Sequence, residues 1–389
     1  MSKKILYTAL LMIVAVTLLI SCNNSEVGVF YGLSKEEKAK NYSLPDHTTA
    51  ESMVKTGGYL YVAASSIYRK KAEGGELNWH KVKSPSGYHN VTEMGLANDT
   101  IFILAYDPDD AKPCLFSGSG DGSWEKKSTP VDGKISRMRV ANDVIFITDR
   151  SGNLYYSEDD GGSFTKDDSM SPLFSTSTGN FELTYGGGSY YLNAQYKLYR
   201  GNPGSWTEFS PRKSSDNKLW KDDEDVFTKL YYDEEDDRLY TADNSGYIYA
   251  VDSPSGAGAQ SWQKSDNHTA GGLGIQGLIV LRIPTSAGSK HKVLLAGSGI
   301  NSGRGYYEVH NPRLSDRDYL NPRRPRHSIE IVSDFYDYTS FDLSKAAINS
   351  FFIDEYSDGT SFDFYALTFG YGVWKNTNKG GYERGWNWE

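Results

Sequence analysis

The sequence predicts an all-β fold, a seven-bladed β-propeller of four-stranded antiparallel blades. Composition is the first observation behind this prediction: the 389 residues include 39 glycines and 14% aromatic residues, which suits a sheet protein with many turns. The second is a recurring unit of about 40–50 residues or more, the length of a propeller blade. The third is that the unit recurs seven times, and seven blades can close into a ring.

The clearest unit lies in residues 141–166. Its turn pair Asn142-Asp143 precedes the β-branched and aromatic run Val144–Ile147. A second run, Asn153–Tyr156, follows a polar turn, and a further polar turn leads into a third strand at Phe164. This order of turns and apolar runs predicts the three outer strands of one blade.

The other units repeat the same order. Each has a first hairpin whose two central residues are turn formers. These pairs are Gly57-Gly58, Asn98-Asp99, Asn142-Asp143, Gly187-Gly188, Asp236-Asp237, Gly288-Ser289 and Asp358-Gly359. A later pair marks each third strand: Ile67-Tyr68, Leu115-Phe116, Leu154-Tyr155, Leu198-Tyr199, Ile248-Tyr249, Tyr306-Tyr307 and Val373-Trp374. In the sixth unit a basic loop intervenes before a predicted strand at Ser328–Val332.

An aromatic residue recurs near the fourth strand of six units, at Trp79, Trp124, Phe164, Trp206, Trp262 and Trp386. One four-stranded sheet cannot bury both faces alone, so stacked blades must cover one another. These aromatic side chains are therefore predicted to be wedges between blades, with a sugar-binding platform as the alternative. Ring closure is expected to pair the first blade with the seventh, with little or no exchanged strand.

The first 47 residues are interpreted as a targeting signal followed by a flexible tether. Residues 1–21 are predicted to be a lipoprotein signal peptide, residues 22–47 a lipidated, flexible N-terminus, and residues 48–389 the propeller. Lys3 and Lys4 precede the apolar run Ile5–Ile20, which is too short for a confident membrane span. The alternative is an ordinary signal peptide with an incidental cysteine.

The residues Leu19-Ile20-Ser21-Cys22 resemble the bacterial lipobox, whose cysteine carries the lipid. The resemblance implies that acyl chains such as palmitate on Cys22 hold the mature protein on a membrane. Asn23, rather than aspartate, follows, which favours the outer membrane of a bacterial cell envelope or its periplasmic face. The layout of this N-terminus is also similar to that of surface or periplasmic lipoproteins from spirochaetes.

Charge and cysteine content argue against nucleic-acid binding and against an intrachain disulfide. The net charge of −9 argues against a general nucleic-acid footprint. Only Cys22 and Cys114 are present, so lipidation of Cys22 leaves no pair for an intrachain disulfide. Cys114 is predicted to be a small core residue rather than a reactive thiol.

Residues 157–164 resemble the Asp-box, or BNR repeat, of sialidase-like propellers, whose pattern is Ser-x-Asp-x-Gly-x-Thr-Trp. The matching positions are Ser157, Asp159, Gly161, Ser163 and Phe164, with phenylalanine in place of tryptophan. The resemblance implies a structural turn in which the aspartate bonds backbone amides, and no catalytic role. At Ser117–Trp124 the sequence keeps only the first serine and the final Ser-Trp.

A second resemblance concerns Leu281-Arg282-Ile283-Pro284, which is similar to the Arg-Ile-Pro strand of sialidases. The arginine of that strand clamps the carboxylate of the substrate. The resemblance implies Arg282, with Arg304 following, as alternative catalytic residues of a glycoside hydrolase. In sialidases the motif opens the propeller, whereas here it lies in the sixth unit. The further arginines, tyrosine nucleophile and acid that the family needs are not identifiable.

No pattern predicts a metal site or a cofactor, since the seven histidines lack metal-ligand spacing and no phosphate-binding glycine loop precedes a helix. Asp107–Asp110 and Asp233–Asp237 are interpreted as solvated loop tips, with calcium binding as the alternative. One basic cluster stands out in the acidic chain: Arg313, Arg317, Arg323, Arg324 and Arg326. It is either a solvated loop or a binding patch for phosphate, anionic glycan or an acidic partner.

The sequence as a whole favours a membrane-anchored, extracytoplasmic lipoprotein that acts as a non-catalytic binding or assembly scaffold. Its expected partner is an envelope protein or an anionic glycan. Binding is expected at the mouth of the central channel, where loops joining adjacent blades converge, with the loop around Arg323 as the first candidate. The first alternative is a sialidase-type hydrolase. The second is a periplasmic assembly factor, by analogy with the fold and location of other propeller lipoproteins.

Overall fold

The computed structural model describes Leu44, residues 48–377 with internal gaps, and residues 387–388. The gaps are 74–77, 107–111, 132–133, 172–180, 195, 213–225, 259–260, 266–273, 285–289, 299–304, 311–345, 360 and 371. The described residues contain strands, turns and bends but no helix. Accordingly, none of them belongs to a helix long and apolar enough to cross a membrane.

The strands form seven antiparallel sheets in chain order. Blade 1 has β1 (Ser52–Thr56), β2 (Tyr59–Ala63), β3 (Ile67–Lys71) and β4 (His80–Val82). Blade 2 has β5 (His89–Ala97), β6 (Thr100–Tyr106), β7 (Pro113–Gly118) and β8 (Trp124–Lys126). Blade 3 has β9 (Ile135–Ala141), β10 (Val144–Asp149), β11 (Leu154–Ser157) and β12 (Thr165–Asp167). Blade 4 has β13 (Leu183–Gly186), β14 (Ser189–Ala194), β15 (Lys197–Asn202) and β16 (Ser205–Glu208).

The last three blades follow the same plan. Blade 5 has β17 (Phe227–Asp233), β18 (Arg238–Asp243), β19 (Ile248–Asp252) and β20 (Gln263–Lys264). Blade 6 has β21 (Ile275–Pro284), β22 (Lys290–Ser298) and β23 (Tyr306–His310) among the described residues. Blade 7 has β24 (Ile348–Glu355), β25 (Phe362–Thr368), β26 (Val373–Thr377) and β27 (Asn387–Trp388). The predicted strand at Ser328–Val332 lies outside the described residues.

The predicted all-β, seven-bladed propeller is confirmed. The first strands β1, β5, β9, β13, β17, β21 and β24 each contact the first strands of both neighbours, and the contact of β24 with β1 closes the ring. Seven hydrophobic clusters occur among the described residues, and each joins two neighbouring blades. The core is therefore distributed over seven blade interfaces, as expected when no blade can bury both of its faces alone.

The second strand of each blade explains this arrangement, and β10 is the clearest case. All six of its residues are buried. Because successive side chains of a strand point to opposite faces, Ile145 and Ile147 pack against blade 2, whereas Val144 and Phe146 pack against blade 4. A continuous apolar run is what a strand covered on both faces requires.

The hairpins joining first and second strands lie where the turn pairs predict, except that 285–289 is not described. Asn98 and Asp99 have φ values of 44° and 59°, and Asn142 and Asp143 have 46° and 60°. Two successive left-handed residues are what a two-residue hairpin turn of type I′ requires, and asparagine and aspartate tolerate them. In the blades whose first hairpins are described, the pairs of turn formers thus set the register of the first two strands.

The recurring tryptophans lie between blades, as predicted. Trp124 Nε1 donates to the Lys83 carbonyl at 2.7 Å, and Trp262 Nε1 donates to the Phe209 carbonyl at 3.0 Å. Trp206 Nε1 donates to Asp167 Oδ2 at 2.7 Å. In each case the acceptor belongs to the preceding blade. The indole therefore contributes both apolar packing and a hydrogen bond to the interface.

The seam between blades 1 and 7 is closed by side chains and backbone contacts, since all four strands of the seventh sheet come from residues 348–388. Lys55 Nζ lies 2.6 Å from Asp354 Oδ1, and this aspartate side chain is fully buried. The backbone amide of Glu73 donates to Asp354 Oδ2 at 2.9 Å. On the other side of the seam, the amide of Ala50 donates to the Thr368 carbonyl at 3.0 Å.

Alternating strand directions give the ring two distinct ends. The connection face carries the loops from one blade to the next and the turns between second and third strands. The hairpin face carries the turns between first and second strands and those between third and fourth strands. Each first strand runs from the connection face to the hairpin face, so a residue's position along that strand tells which end of the channel it approaches.

Candidate functional site in the central channel

Irregular pairing marks the start of the first strand in blades 2, 3, 5, 6 and 7. The register against the second strand shifts there, for example between Val91 and Glu93, between Phe227 and Lys229, and between Ile348 and Ser350. Blades 3 and 6 show the same feature. A bulge bends its strand and re-aims the side chains next to it. These bulges direct side chains of the first strands toward neighbouring blades.

Charged side chains of blades 2 to 5 meet near these bulges and form one continuous network, here termed the channel cluster. Its members are Glu93, Arg137, Arg139, Glu182 and Lys229. Glu93 Oε1 lies 3.2 Å from Arg137 Nη1 and 3.1 Å from Arg139 Nη1. Glu182 bridges the next two blades, with Oε1 2.8 Å from Arg139 Nη2 and Oε2 2.9 Å from Lys229 Nζ. Each carboxylate thus serves two cations.

Backbone groups help to hold the cluster in place. The amide of Met138 donates to Glu93 Oε2, and Arg139 Nη1 donates to the Met138 carbonyl at 2.8 Å. Arg137 and Arg139 lie two residues apart, so they share one face of β9 while Met138 packs in the blade interface. The side chain of Met138 is buried, which fixes the strand carrying both arginines.

Electrostatics favour the charged form of Glu182. Burial alone would raise the pKa of this carboxyl, but Lys229 and Arg139 outweigh burial and lower its pKa to about 2. The two neighbouring carboxylates, Glu182 and Glu93, likewise raise the pKa of Arg139 despite its burial. The pKa shifts of Glu182 and Arg139 therefore both favour the charged form at neutral pH.

Exposure increases toward one member of the cluster. The side chains of Glu93, Glu182 and Lys229 are 7%, 14% and 18% exposed, whereas that of Arg137 is 43% exposed. Arg137 is therefore the member of the cluster that is most accessible to a ligand.

Glu51 and Asn349 extend the polar lining across the seam. Asn349 Nδ2 donates to Glu51 Oε2 at 3.1 Å and to the Ala50 carbonyl at 3.1 Å. Burial raises the pKa of Glu51, and the negative charge of Glu93 raises it further, against the opposing effects of Asn349, Arg137 and Arg139. The polar lining thus continues from blade 7 through blade 1 to the channel cluster.

Arg282, the arginine of the sialidase-like motif, contacts protein carboxylates. It lies late in β21, toward the hairpin face. Its guanidinium is bonded to Asp233, and its Nε lies 2.6 Å from Glu235 Oε2. Lys292 pairs with Asp236 beside it. The calcium alternative for residues 233–237 can be compared with these contacts, in which Asp233, Glu235 and Asp236 pair with Arg282 and Lys292. The described residues contain no group of three or more acidic, histidine or cysteine side chains suited to a metal ion.

The other predicted site residues divide between the described and undescribed parts of the chain. Cys22, Arg304, Arg313, Arg317, Arg323, Arg324 and Arg326 lie outside the described residues, as do Asp107–Asp110 and Trp386. The described part of blade 6 ends with β23 at His310, which lies at the hairpin face. The channel cluster lies nearer the connection face. Cys114 is buried, as predicted, and its Sγ donates to the Tyr88 hydroxyl at 3.6 Å.

The turn at residues 157–164 is held by its aspartate. Asp159 Oδ1 accepts the Ser157 hydroxyl at 2.8 Å and the Ser163 amide at 2.9 Å, and Oδ2 accepts the Ser163 hydroxyl at 2.7 Å. The Gly161 amide donates to Ser157 Oγ at 2.9 Å. The three bonds that Asp159 accepts, that of the Ser163 hydroxyl first, lower the pKa of Asp159 to about 2. A similar bond joins the Ser123 amide to Asp121 in blade 2.

Replacing Asp159 with alanine is expected to loosen this turn without unfolding the propeller. The Ser163 amide loses its acceptor, so its hydrogen exchange should become several-fold faster. Exchange followed by NMR measures this directly. The matched control is Glu158→Ala, which removes an adjacent exposed carboxylate and should leave the exchange of Ser163 unchanged. Equal protection in the Asp159 variant would show that the carboxylate does not hold the turn.

The channel cluster was not predicted from the sequence. One signal was present: charged residues at 93, 137, 139 and 229 interrupt the first strands, which are otherwise partly apolar. The bond in blade 2 was also not predicted: Asp121 accepts from the amide two residues on, whereas Asp159 accepts from the amide four residues on.

Comparisons with known proteins place the chain among propellers and go no further than the fold. The sequence matches no family model and no curated protein. YCF48 from Cyanidioschyzon merolae superposes with a TM-score of 0.52 and 14% identity, covering 85% of this chain and 95% of YCF48. A structure of YCF48 bound to D1 peptide gives 0.51 and 13%, covering 85% and 93%.

A second group of similar structures consists of GH74 enzymes. The GH74 xyloglucanase from Xanthomonas campestris superposes with a TM-score of 0.56 and 13% identity, covering 86% of this chain and 52% of the enzyme. An ancestral GH74 enzyme gives 0.58 and 12%, covering 88% and 46%. The chain thus spans about half the length of these enzymes and nearly all of YCF48. Propellers of both kinds, one bound to a peptide and the others hydrolases, share its fold.

Proposed function

We propose that this protein is a lipid-anchored, non-catalytic binding scaffold of the bacterial cell envelope, and that its partner docks at the channel mouth on the connection face. The observation that carries the proposal is the channel cluster. Its carboxylates are matched to cations rather than flanking an open cleft as the two carboxylates of a glycosidase do. Arg137, its most exposed member, presents a guanidinium suited to an acidic group of a partner protein.

The comparisons support a binding role over a hydrolytic one. The chain corresponds to almost the whole of YCF48, which has been solved with a bound peptide, but to only about half of each GH74 enzyme. Sharing a fold does not transfer function, so the site must carry the argument. An envelope protein with an exposed acidic segment is the partner that suits Arg137. An anionic glycan docking at the basic loop around Arg323 is the other partner class.

The proposed location in the cell envelope depends on lipidation of Cys22, which the lipobox-like residues before it support. Cys22→Ser is expected to abolish incorporation of labelled palmitate and to leave the signal peptide uncut, because the thiol is the acceptor of the lipid. Metabolic labelling and the mass of the protein measure both. Cys114→Ser is the matched control and should retain the label. Unchanged labelling in the Cys22 variant would contradict the anchor. We also propose that residues 157–164 form an Asp-box.

Partner binding is tested by charge reversal. Arg137→Glu should release an envelope protein that the wild-type propeller retains on affinity capture, because the substitution places like charges together. Arg323→Glu with Arg324→Glu tests the basic loop in the same assay. Lys166→Glu, at an exposed site on the outer strand of blade 3, is the control. Retention by all variants alike would contradict both docking sites.

The alternative function is a sialidase-type hydrolase using Arg282 and Arg304. The similarity to GH74 propellers favours it, but the Arg282 guanidinium would have to leave Asp233 and Glu235 to clamp a substrate carboxylate. Hydrolysis of a fluorogenic sialoside by the wild-type protein, lost in Arg282→Ala, would establish this activity and overturn the non-catalytic proposal.

A further inference from the structure

A cavity of about 460 Å³ lies at the outer rim, where blade 1 leads into blade 2. It is lined by Lys81, Lys83, Ser84, Ser86, Gly87 and His89, and is here termed the rim pocket. It is built from the outer strand β4, the connecting loop and His89, the first residue of β5, and it shares no residue with the channel cluster. The side chains of Lys81, Lys83 and His89 are exposed.

The charge of this segment is unusual for the chain. Residues 77–92 contain two lysines and two histidines but no aspartate or glutamate, in a protein of net charge −9. No ion pair of Lys81 or Lys83 is found within the described part of the chain. Lys126 of blade 2 lies beside Tyr88, and Glu125 is already paired with Lys127 at 3.1 Å. The rim pocket is therefore a local concentration of positive charge.

The loop that forms the pocket is held in one conformation by four contacts. Pro85 is buried, and the Tyr88 amide donates to the Pro85 carbonyl at 3.0 Å across Gly87, whose φ is 78°. The Tyr88 ring packs edge-on against Phe116 of blade 2 with centroids 4.7 Å apart. The indole N–H of Trp124 fixes the Lys83 carbonyl, as described above. Such fixed geometry lowers the entropic cost of binding a ligand.

The side chains indicate which anion the pocket suits. Lysine ammonium groups act as compact point charges and bind phosphate well. Serine hydroxyls add donors to tetrahedral oxygens. The pocket is open to solvent, and its volume leaves room for the group attached to a phosphate.

We propose that the rim pocket binds a phosphate ester, with Lys81 and Lys83 neutralising the phosphate and Ser84, Ser86 and His89 hydrogen-bonding to its oxygens. The phosphate can belong to the headgroup of an anionic lipid or to a phosphorylated sugar, since both present the same oxygens. No covalent step is involved. The site is independent of the partner proposed for the channel mouth.

Isothermal titration calorimetry tests the proposal, using the full-length protein in phosphatidylcholine nanodiscs titrated with inorganic phosphate, glycerol 1-phosphate and glucose 6-phosphate. The esters are expected to bind, and binding should weaken as NaCl rises from about 50 mM to about 500 mM. Lys81→Glu with Lys83→Glu should weaken binding by about tenfold or more. Lys134→Glu with Lys166→Glu, an equal charge change on blade 3, should leave the affinity unchanged.

Nanodiscs containing phosphatidylglycerol distinguish the two sources. If the lipid headgroup occupies the pocket, these discs suppress the titration with glucose 6-phosphate. If they do not, the ligand is a soluble or glycan phosphate. The proposal is overturned if none of the three probes binds at about 10 mM. It is also overturned if the Lys81 and Lys83 double variant binds them as tightly as the wild type.

Discussion

Replacing Glu182 with glutamine is expected to lower the free energy of unfolding by about 3 kcal/mol, since removing one partner of a buried ion pair leaves the other charges uncompensated. Glu182 is the only carboxylate found within the described residues that bridges Arg139 to Lys229. The variant keeps the size of the side chain, so the loss reports charge rather than a cavity. Urea unfolding followed by tryptophan fluorescence at pH 7 measures it.

The stability difference between wild type and Glu182→Gln is also expected to depend on pH. The folded-state pKa of Glu182 lies at about 2, below its ordinary value of 4.5, so its stabilising effect is complete above about pH 4.5 and is lost as the pH falls toward 2. The stability difference between wild type and Glu182→Gln should therefore shrink over that window. Glu158→Gln, at an exposed position of blade 3, is the control. A difference that stays constant with pH would contradict the assigned pKa.

Replacing Lys55 with methionine is expected to lower the free energy of unfolding by about 3 kcal/mol, because Asp354 remains buried without its cation and keeps the hydrogen bond from the Glu73 amide. The ion pair joins the first and last blades, which are not stapled by an exchanged strand. The loss should therefore be accompanied by faster amide exchange in β1 and β24 than in β9 and β13. Hydrogen exchange with mass spectrometry resolves these strands.

Lys81→Met provides the matched control for the seam, because Lys81 is an exposed lysine in β4 of the same blade. It should change the free energy of unfolding by no more than about 0.5 kcal/mol. If Lys55→Met is equally mild, the pair with Asp354 does not hold the ring closed. If exchange rises equally in all seven blades, the pair contributes to global stability but not to the seam in particular.

The blade architecture was predictable because its determinants are local. Pairs such as Asn98-Asp99 and Gly187-Gly188 require left-handed backbone and therefore mark hairpins wherever they stand between apolar runs. Apolar runs in second strands, such as Val144–Ile147 in β10, predict burial on both faces. Trp124 and Trp262 were predicted as wedges because large aromatic side chains need the cover of a neighbouring blade.

The channel cluster was not predictable because its contacts depend on how blades stack. Arg139 meets Glu182 across 43 residues of sequence, and Lys229 meets Glu182 across 47. These pairs form only when neighbouring blades stack, and no turn pair or aromatic residue marks them in advance. For the same reason, Asp233 and Glu235 were not identified as partners of Arg282, although they face it from the preceding blade.

The proposed docking site at the channel mouth is tested most directly by photo-crosslinking in cells from a probe placed at Tyr106, beside Arg137 on the connection face. The account predicts one protein adduct from this position, absent when Arg137→Glu is added. It also predicts no adduct from a probe at Ser357 on the hairpin face. The same adduct from Ser357, or an adduct from Tyr106 that survives Arg137→Glu, would contradict docking at the channel mouth.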